Sequence, residues 1–297
     1  MEQYKSGFVA IIGRPNVGKS TLMNHILKQK VAIMSEKPHT TRNRITGVYT
    51  TDTLQAIFLD TPGIHKPSNK LAEYMVATAL NTLEGVDLIV YVVDCTMTFG
   101  AGEAFIVQQL KKAKTPTLLV INKTDLLDKQ ALLPLMEKLR HKMDFVSIIP
   151  LSAKNGENVP SLLHEIEIRL PEGPQYYPND MVTDQPERLI VAEMIREKVL
   201  SLTKEEVPHS VAVQTELIQE RSETLLYVAA TIYVERHSQK GIIIGKHGDM
   251  LKEIGKLART DIEILLGSKV YLDLWVKVKE QWRRHEMEIK NFGFTRD

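Results

Sequence analysis

The residues whose types and spacing suit chemistry begin near the amino terminus. Gly13-Arg14-Pro15-Asn16-Val17-Gly18-Lys19-Ser20, followed by Thr21, fits the pattern G-x-x-x-x-G-K-[ST]. Between an apolar strand and a helix, such a loop binds phosphate. Backbone N–H groups wrap the anion, glycines permit close approach, and the helix N-terminus adds a favourable dipole. Lys19 offers charge to the outer phosphates, and the Ser20 hydroxyl offers a ligand to Mg2+. Further along stands Asp60-Thr61-Pro62-Gly63. Thr-Pro-Gly by itself is turn chemistry. After a phosphate loop, an aspartate closing a strand is placed to hold Mg2+ through water, and the Gly63 N–H to meet a γ-phosphate. The polar loop Pro38-His39-Thr40-Thr41-Arg42 lies between them. One threonine there is expected to complete the metal's shell in the triphosphate state. Thr40 and Thr41 both qualify by type, and Thr41 is favoured. The expected metal set is Ser20, Thr41 and Asp60.

Asn122-Lys123-Thr124-Asp125 closes another apolar run. The Asp125 carboxylate can accept two hydrogen bonds from guanine N1 and N2. Adenine offers no such pair and would leave a carboxylate unpaired, so a site of this kind rejects it strongly. The Lys123 stem is expected to pack along the base and Asn122 to brace the loops. Ser152-Ala153-Lys154, after the next run, supplies a backbone N–H for guanine O6. A Ser-Ala-Lys triplet commonly caps a helix; its slot after the tetrad makes it informative.

These residues need strand ends to position them. Apolar runs at 8–12, 56–59, 88–93, 117–121 and 147–151 lack polar alternation, so they read as strands buried on both faces of a mostly parallel sheet. Helical spacing falls at 20–28, 70–83, 104–113 and 159–170. The result is a doubly wound α/β sheet, whose ligands sit beyond the carboxyl ends of the strands. The expected domains are 1–172 and 185–297, with a proline-containing polar linker over 173–184.

The second half changes rhythm. A helix over 187–203, strands over 211–219 and 225–234, a helix over 249–266, a strand over 269–278 and a charged carboxyl-terminal helix are expected. Ile242-Ile243-Ile244-Gly245-Lys246-His247-Gly248 places a G-x-x-G loop before a helix. Such loops clamp a single-stranded nucleic-acid backbone. Ile244, Gly245, Lys246, His247, Gly248 and Lys252 form the expected RNA-facing set, and Ile254 is a further candidate for an apolar, base-accepting groove. Residues 236–297 hold 13 Lys/Arg against 9 Asp/Glu, a mildly basic field. Trp275 and Trp282 stand near several of these cations, although core tryptophans beside a solvated helix face account for them equally well.

The 297 residues carry 43% hydrophobic and 25% charged residues with a net charge of +1. That balance suits two soluble domains and gives no overall polycation. The single Cys95 rules out an intrachain disulfide framework and fits a reducing cytosol. The polar amino-terminal stretch over 1–7 and the short apolar runs predict neither a signal peptide nor a membrane span.

Residues 1–170 resemble a small GTP-binding domain of the translation-factor-related class, on Gly13–Ser20, Asp60–Gly63, Asn122–Asp125 and Ser152–Lys154. Ras-like enzymes orient the attacking water with a glutamine after the Asp-x-x-Gly element. Ile64 stands there, so slow hydrolysis carried mainly by electrostatics is expected. This departure resembles the TrmE-Era-EngA-like subclass, in which an asparagine at the position of Asn16 implies a catalytic K+. The expected catalytic set is therefore Lys19, Asn16, Thr41 and Gly63. With the order helix–strand–strand–short helix–loop–helix–strand, the second half resembles a type II KH domain of α+β class. Together the halves resemble the Era family of bacterial GTPases. That resemblance implies GTP and GDP as ligands, Mg2+, the 3′ end of 16S rRNA, a role in 30S subunit assembly, a monomer, and a cytoplasmic location with peripheral membrane contact. A small-molecule phosphotransferase is disfavoured by the Asn122–Asp125 tetrad, and an inert scaffold by the intact Lys19, Ser20 and Asp60.

Overall fold

The computed structural model describes residues 4–294. The first three residues of the polar amino-terminal stretch and the last three of the carboxyl-terminal segment lie outside the described residues. The chain divides into two compact units. The first comprises Met1–Ala32, Thr41–Ser68 and Ala72–Asp184, and the second Ile33–Thr40, Asn69–Leu71 and Gln185–Asp297.

In chain order the first part forms β1 (Lys5–Gly13), α1 (Lys19–Leu27), β2 (Ile45–Thr50), β3 (Leu54–Asp60), α2 (Lys70–Asn81), β4 (Leu88–Asp94), α3 (Ala101–Ala113), β5 (Thr117–Asn122), α4 (Lys129–Arg140), β6 (Ser147–Pro150) and α5 (Val159–Glu167). The sheet order is β2-β3-β1-β4-β5-β6, parallel throughout except for β2 against β3. Alternate residues of each central strand feed opposite layers of core. Val9, Ile11, Val90 and Val92 belong to one apolar cluster; Ala10, Ile12, Ile89 and Tyr91 belong to the other. Burial on both faces is why these runs lack polar alternation.

Two elements of this unit have no counterpart in the sequence reading. β2 carries Thr46, Gly47 and Thr50, and its pairing with β3 rather than its own apolar content makes it a strand. α4 presents Leu132, Leu135, Met136 and Leu139 at helical spacing to the core, and Pro134 inside it is the residue that reads against a helix. The stretch read as a linker is laid along the sheet. Buried Gln55 accepts from the backbone N–H groups of Tyr176 (2.7 Å) and Tyr177 (2.9 Å). Val48 N–H donates to Val182 O at 2.8 Å, and the Thr183 hydroxyl to Thr46 O at 2.6 Å.

The second unit forms α6 (Glu187–Leu202), α7 (Val207–Ser210), β7 (Ala212–Ser222), β8 (Leu225–Val234), α8 (His237–Ile244), α9 (Asp249–Leu266), β9 (Lys269–Val278) and α10 (Glu286–Asn291). Its sheet runs β7-β8-β9, with β8 antiparallel to β7 and parallel to β9. Val228, Ala230, Ile232 and Val234 alternate onto one face, where they share a core with Val191, Ile195 and Val199 of α6 and Ile254, Ala258 and Ile262 of α9. The two tryptophans part company. Trp282 is buried and its Nε1–H donates to Ser210 O at 2.8 Å, whereas Trp275 is 61% exposed. The expected carboxyl-terminal helix is a short turn at Trp282–Arg284 followed by the six-residue α10. Within this unit the Arg196 guanidinium donates to Thr40 O, and Glu197 Oε1 accepts from Met34 N–H at 2.9 Å.

Candidate functional site

The loop between β1 and α1 is built by conformations that other residues adopt poorly. Asn16 and Gly18 are left-handed, at φ 63° and 97°. A Cβ on Gly18 would meet Asn122 Nδ2 at 2.2 Å, and one on Gly13 would meet Val92 O at 2.4 Å. Both glycines are therefore demanded by close approach as well as by any ligand. Val17 is buried beneath the loop and Lys19 opens α1. The Lys19 Nζ donates to Arg14 O at 3.0 Å, closing the loop. Burial pulls the Lys19 ammonium down to about 8, against the pull of Asp60 in the other direction.

Three oxygen-bearing side chains converge beside it. Ser20 Oγ donates to Asp60 Oδ2 at 2.6 Å and lies 2.9 Å from Thr41 Oγ1. Thr40 does not compete, because its hydroxyl donates to Lys37 O at 2.6 Å. Asp60 is fully buried, and its Oδ1 has no hydrogen-bond partner among the described residues. Burial pushes this carboxyl up to about 6, against Lys19 and the hydrogen bonds of Ser20, Thr61 and Thr41. A buried, unsatisfied carboxylate oxygen beside two hydroxyls fits a hard divalent cation with oxygen ligands. The turn after β3 is pinned to the phosphate loop: Thr61 Oγ1 donates to Ile11 O at 2.8 Å, and Ile64 N–H to Gly13 O at 3.0 Å. A Cβ on Gly63 would meet Pro15 N at 2.5 Å, and Pro62 between them is buried. Ile64 is 1% exposed and belongs to the apolar cluster under that face of the sheet.

The residues expected to read the base gather at the ends of β5 and β6. Asn122 is buried; its Nδ2 donates to Val17 O at 2.8 Å and its Oδ1 accepts from Ala153 N–H at 2.9 Å. One amide thus ties the phosphate loop to both base loops. Lys123 is left-handed at φ 65°, and Thr124 and Asp125 follow in a short turn. Asp125 is exposed and accepts from Ser152 Oγ at 2.6 Å; Lys154 is exposed beside the buried Ser152 and Ala153. Sequence reasoning assigned Ser152 to a backbone role and missed its hydroxyl as the group that orients Asp125. It also missed Asp94, which ends β4 opposite Asn122 and pairs with Lys123. The strand-end position that singled out Asp60 and Asn122 was the available signal.

In the second unit, Ile244 ends α8 and Lys246–Gly248 forms one turn before α9. Gly245 sits at φ 74°, ψ 176°, and Gly248 at φ 82°. Lys246, His247 and Lys252 are exposed and Ile244 is half-buried, so these side chains are open to solvent at and just after the turn. Ile254 does not join them. It is fully buried in the core, because its position on α9 faces the sheet.

Comparison with known proteins agrees with both halves. The family described as "50S ribosome-binding GTPase" matches residues 8–123, and the family described as "KH domain" matches residues 206–283. The chain is similar to Era in complex with MgGDPNP and nucleotides 1506–1542 of 16S ribosomal RNA, at 43% identity and TM-score 0.96, covering 99% of this chain and all of that one. It is equally similar to a point variant of Aquifex aeolicus Era bound to GDP·AlF4−, at 43% identity and TM-score 0.95, covering 98% of this chain and all of that one. The phosphate loop, strand-end aspartate and guanine tetrad on a doubly wound sheet, followed by a type II KH fold, define a P-loop GTPase with an RNA-binding module. Identity at this level over the whole chain goes further: the chain belongs to the Era family of GTPases.

Proposed function

We propose that this chain binds GTP and GDP with Mg2+ in the first unit, and the 3′-terminal region of 16S rRNA through the Gly245–Gly248 loop. In this reading it acts in rRNA processing and assembly of the 30S particle, in the cytoplasm. The observation that carries the nucleotide half is the meeting of Ser20, Thr41 and the unsatisfied Asp60 Oδ1 beside buried Lys19. Support for the RNA half is the exposed G-x-x-G loop, together with the resemblance to Era solved with nucleotides 1506–1542. Among the described residues no helix is long and apolar enough to cross a membrane, so the family's membrane contact would be peripheral.

Ser20, Thr41 and Asp60 would hold Mg2+, which supplies positive charge against the charge developing on the transferring phosphoryl group. Lys19 faces the same charge from within the loop, and the Gly63 N–H is a donor toward the γ-phosphate. Ile64 is committed to the core and has no polar atom for water. Catalysis then rests on electrostatics, and Asn16 is the residue through which K+ would add charge. Hydrolysis by this arrangement is slow, as a timer needs.

Thr40 and Thr41 are consecutive, yet the first belongs to the second unit and the other to the first. A loop that responds to the γ-phosphate at Thr41 therefore continues directly into a segment of the RNA-binding unit, which favours a nucleotide-controlled switch. Cross-linking to cellular RNA in the GTP-analogue state tests the assignment. Contacts concentrated near the 3′ end of 16S rRNA are expected; contacts spread evenly over RNAs would reject it.

A further inference from the structure

β4 delivers a carboxylate to the edge of the base site that the reading above leaves without a task. Asp94 and Asn122 are register partners at the ends of β4 and β5. Asp94 Oδ2 lies 2.6 Å from Lys123 Nζ, with the carboxylate side chain 8% exposed and the lysine 32%. The other oxygen, Oδ1, accepts from Thr96 N–H at 2.8 Å and Thr96 Oγ1 at 2.7 Å, so the carboxylate cannot rotate freely. The next residue continues the lock: Cys95 N–H donates to Asn122 O, and Cys95 Sγ–H to Lys123 O, both at 3.0 Å. Asn122 is thus braced from the β1, β4 and β6 sides, and Lys123 from the β4 side. Burial raises the Asp94 carboxyl, but hydrogen bonds from Lys123 and Thr96 and the Lys123 charge outweigh it, leaving it below the usual carboxylate range.

A lysine stem is a poor wall for a base unless its head is fixed, because a free lysine carries large rotamer entropy. We infer that Asp94 is a positioning residue for guanine: it anchors the Lys123 ammonium and so holds the lysine's methylene stem in place before the nucleotide arrives. Ordering the stem in advance removes that cost from binding. Asp94 has no part in phosphate chemistry, so GTP and GDP gain alike.

The inference rests on the base-site reading, and a double-mutant cycle on the full chain separates the two. Nucleotide affinity is read with fluorescent GDP and GTP analogues for Asp94→Ala, Asp94→Asn, Lys123→Met and Asp94→Ala/Lys123→Met. Lys123→Met keeps an apolar stem and removes the charge that needs an anchor. Asp94→Ala is expected to weaken both nucleotides about tenfold by freeing the stem, with kcat at saturating GTP changed less than twofold. Asp94→Asn, which can still accept a hydrogen bond, should fall between. In the Lys123→Met background Asp94→Ala should cost no further affinity. Equal affinity of Asp94→Ala and the parent chain, a loss confined to kcat, or losses that multiply in the double variant would each overturn the inference. Asp125→Asn reports on the base site itself. If that variant keeps its guanine preference, the base-site reading fails; if it loses the preference while Asp94 variants bind normally, only the positioning role fails.

Discussion

Ser20 Oγ donates to Asp60 Oδ2 at 2.6 Å, although Ser20 lies in the first turn of α1 and Asp60 ends β3. The contact holds together the oxygens proposed to bind the cation. Asp60→Ala should therefore do more than remove a ligand: it frees Ser20 and removes the negative charge that acts on buried Lys19. Mg2+-dependent nucleotide binding should fall by at least about a hundredfold. Nucleotide affinity measured with Mg2+ and with EDTA checks this, since the variant should lose the difference between the two conditions.

The same aspartate makes nucleotide binding pH-dependent. Burial pushes the Asp60 carboxyl up to about 6. A bound cation needs the carboxylate, so below that pH binding must expel the proton. Affinity for Mg·GDP should fall as pH drops through 6, by up to about tenfold per unit, and level off above it. Calorimetry at pH 5.5 in two buffers of different ionisation enthalpy should show proton release that is smaller at pH 7.5.

Base choice rests on one acceptor pair. Asp125→Asn replaces a carboxylate by an amide that can donate to a carbonyl, as xanthine presents at C2. Guanine nucleotides should bind at least about a hundredfold more weakly and xanthine nucleotides should gain. Competition between GDP and XDP measures the exchange.

Ile64 bears on whether a Ras-like glutamine could be restored. Its side chain is 1% exposed within the core, so Ile64→Gln buries an amide without a partner. The substitution should lower stability by about 2 kcal/mol and leave GTP turnover no faster. Thermal unfolding and turnover on one preparation decide this. In the unsubstituted chain, turnover should be faster in K+ than in Na+ at constant Mg2+.

Gly245 adopts φ 74°, ψ 176°, and a Cβ there would meet Met250 N at 2.8 Å. Gly245→Ala should cost about 1–3 kcal/mol and disturb the loop. At Gly248 a Cβ meets nothing within 4 Å, so Gly248→Ala tests φ 82° alone and should be milder. Lys246→Glu should weaken RNA binding and flatten its salt dependence while leaving GTP turnover as it was. Filter binding across a salt series measures both.

Most of the nucleotide site was legible because its segments follow directly on the ends of strands buried on both faces, β1, β3, β5 and β6, and such strands stand out as apolar runs. β8 was legible as a further apolar run, β9 by its alternation and α9 by a one-sided helical period. β2 and α4 were not, since β3 supplies the reason for the first and Pro134 blurs the second. Thr40 and Thr41 could not be separated by type; the backbone carbonyl of Lys37, which takes the Thr40 hydroxyl, separates them in space. The contact of the Ser152 hydroxyl, and Asp94 altogether, were missed because what they do depends on neighbours in space, Asp125 and Lys123, which follow another strand end. Ile254 was misplaced because a helix adjoining a binding loop presents one face to that loop and the opposite one to the core.

The central claim, that nucleotide state governs RNA binding, is tested most directly by one equilibrium measurement. The affinity of the full chain for an RNA spanning the 3′ end of 16S rRNA should be determined with Mg2+ and a non-hydrolysable GTP analogue, and again with Mg2+ and GDP. The two values should differ by about tenfold or more, with the analogue state tighter. Equal affinities would contradict the account, leaving a GTPase and an RNA-binding module that share a chain without controlling one another.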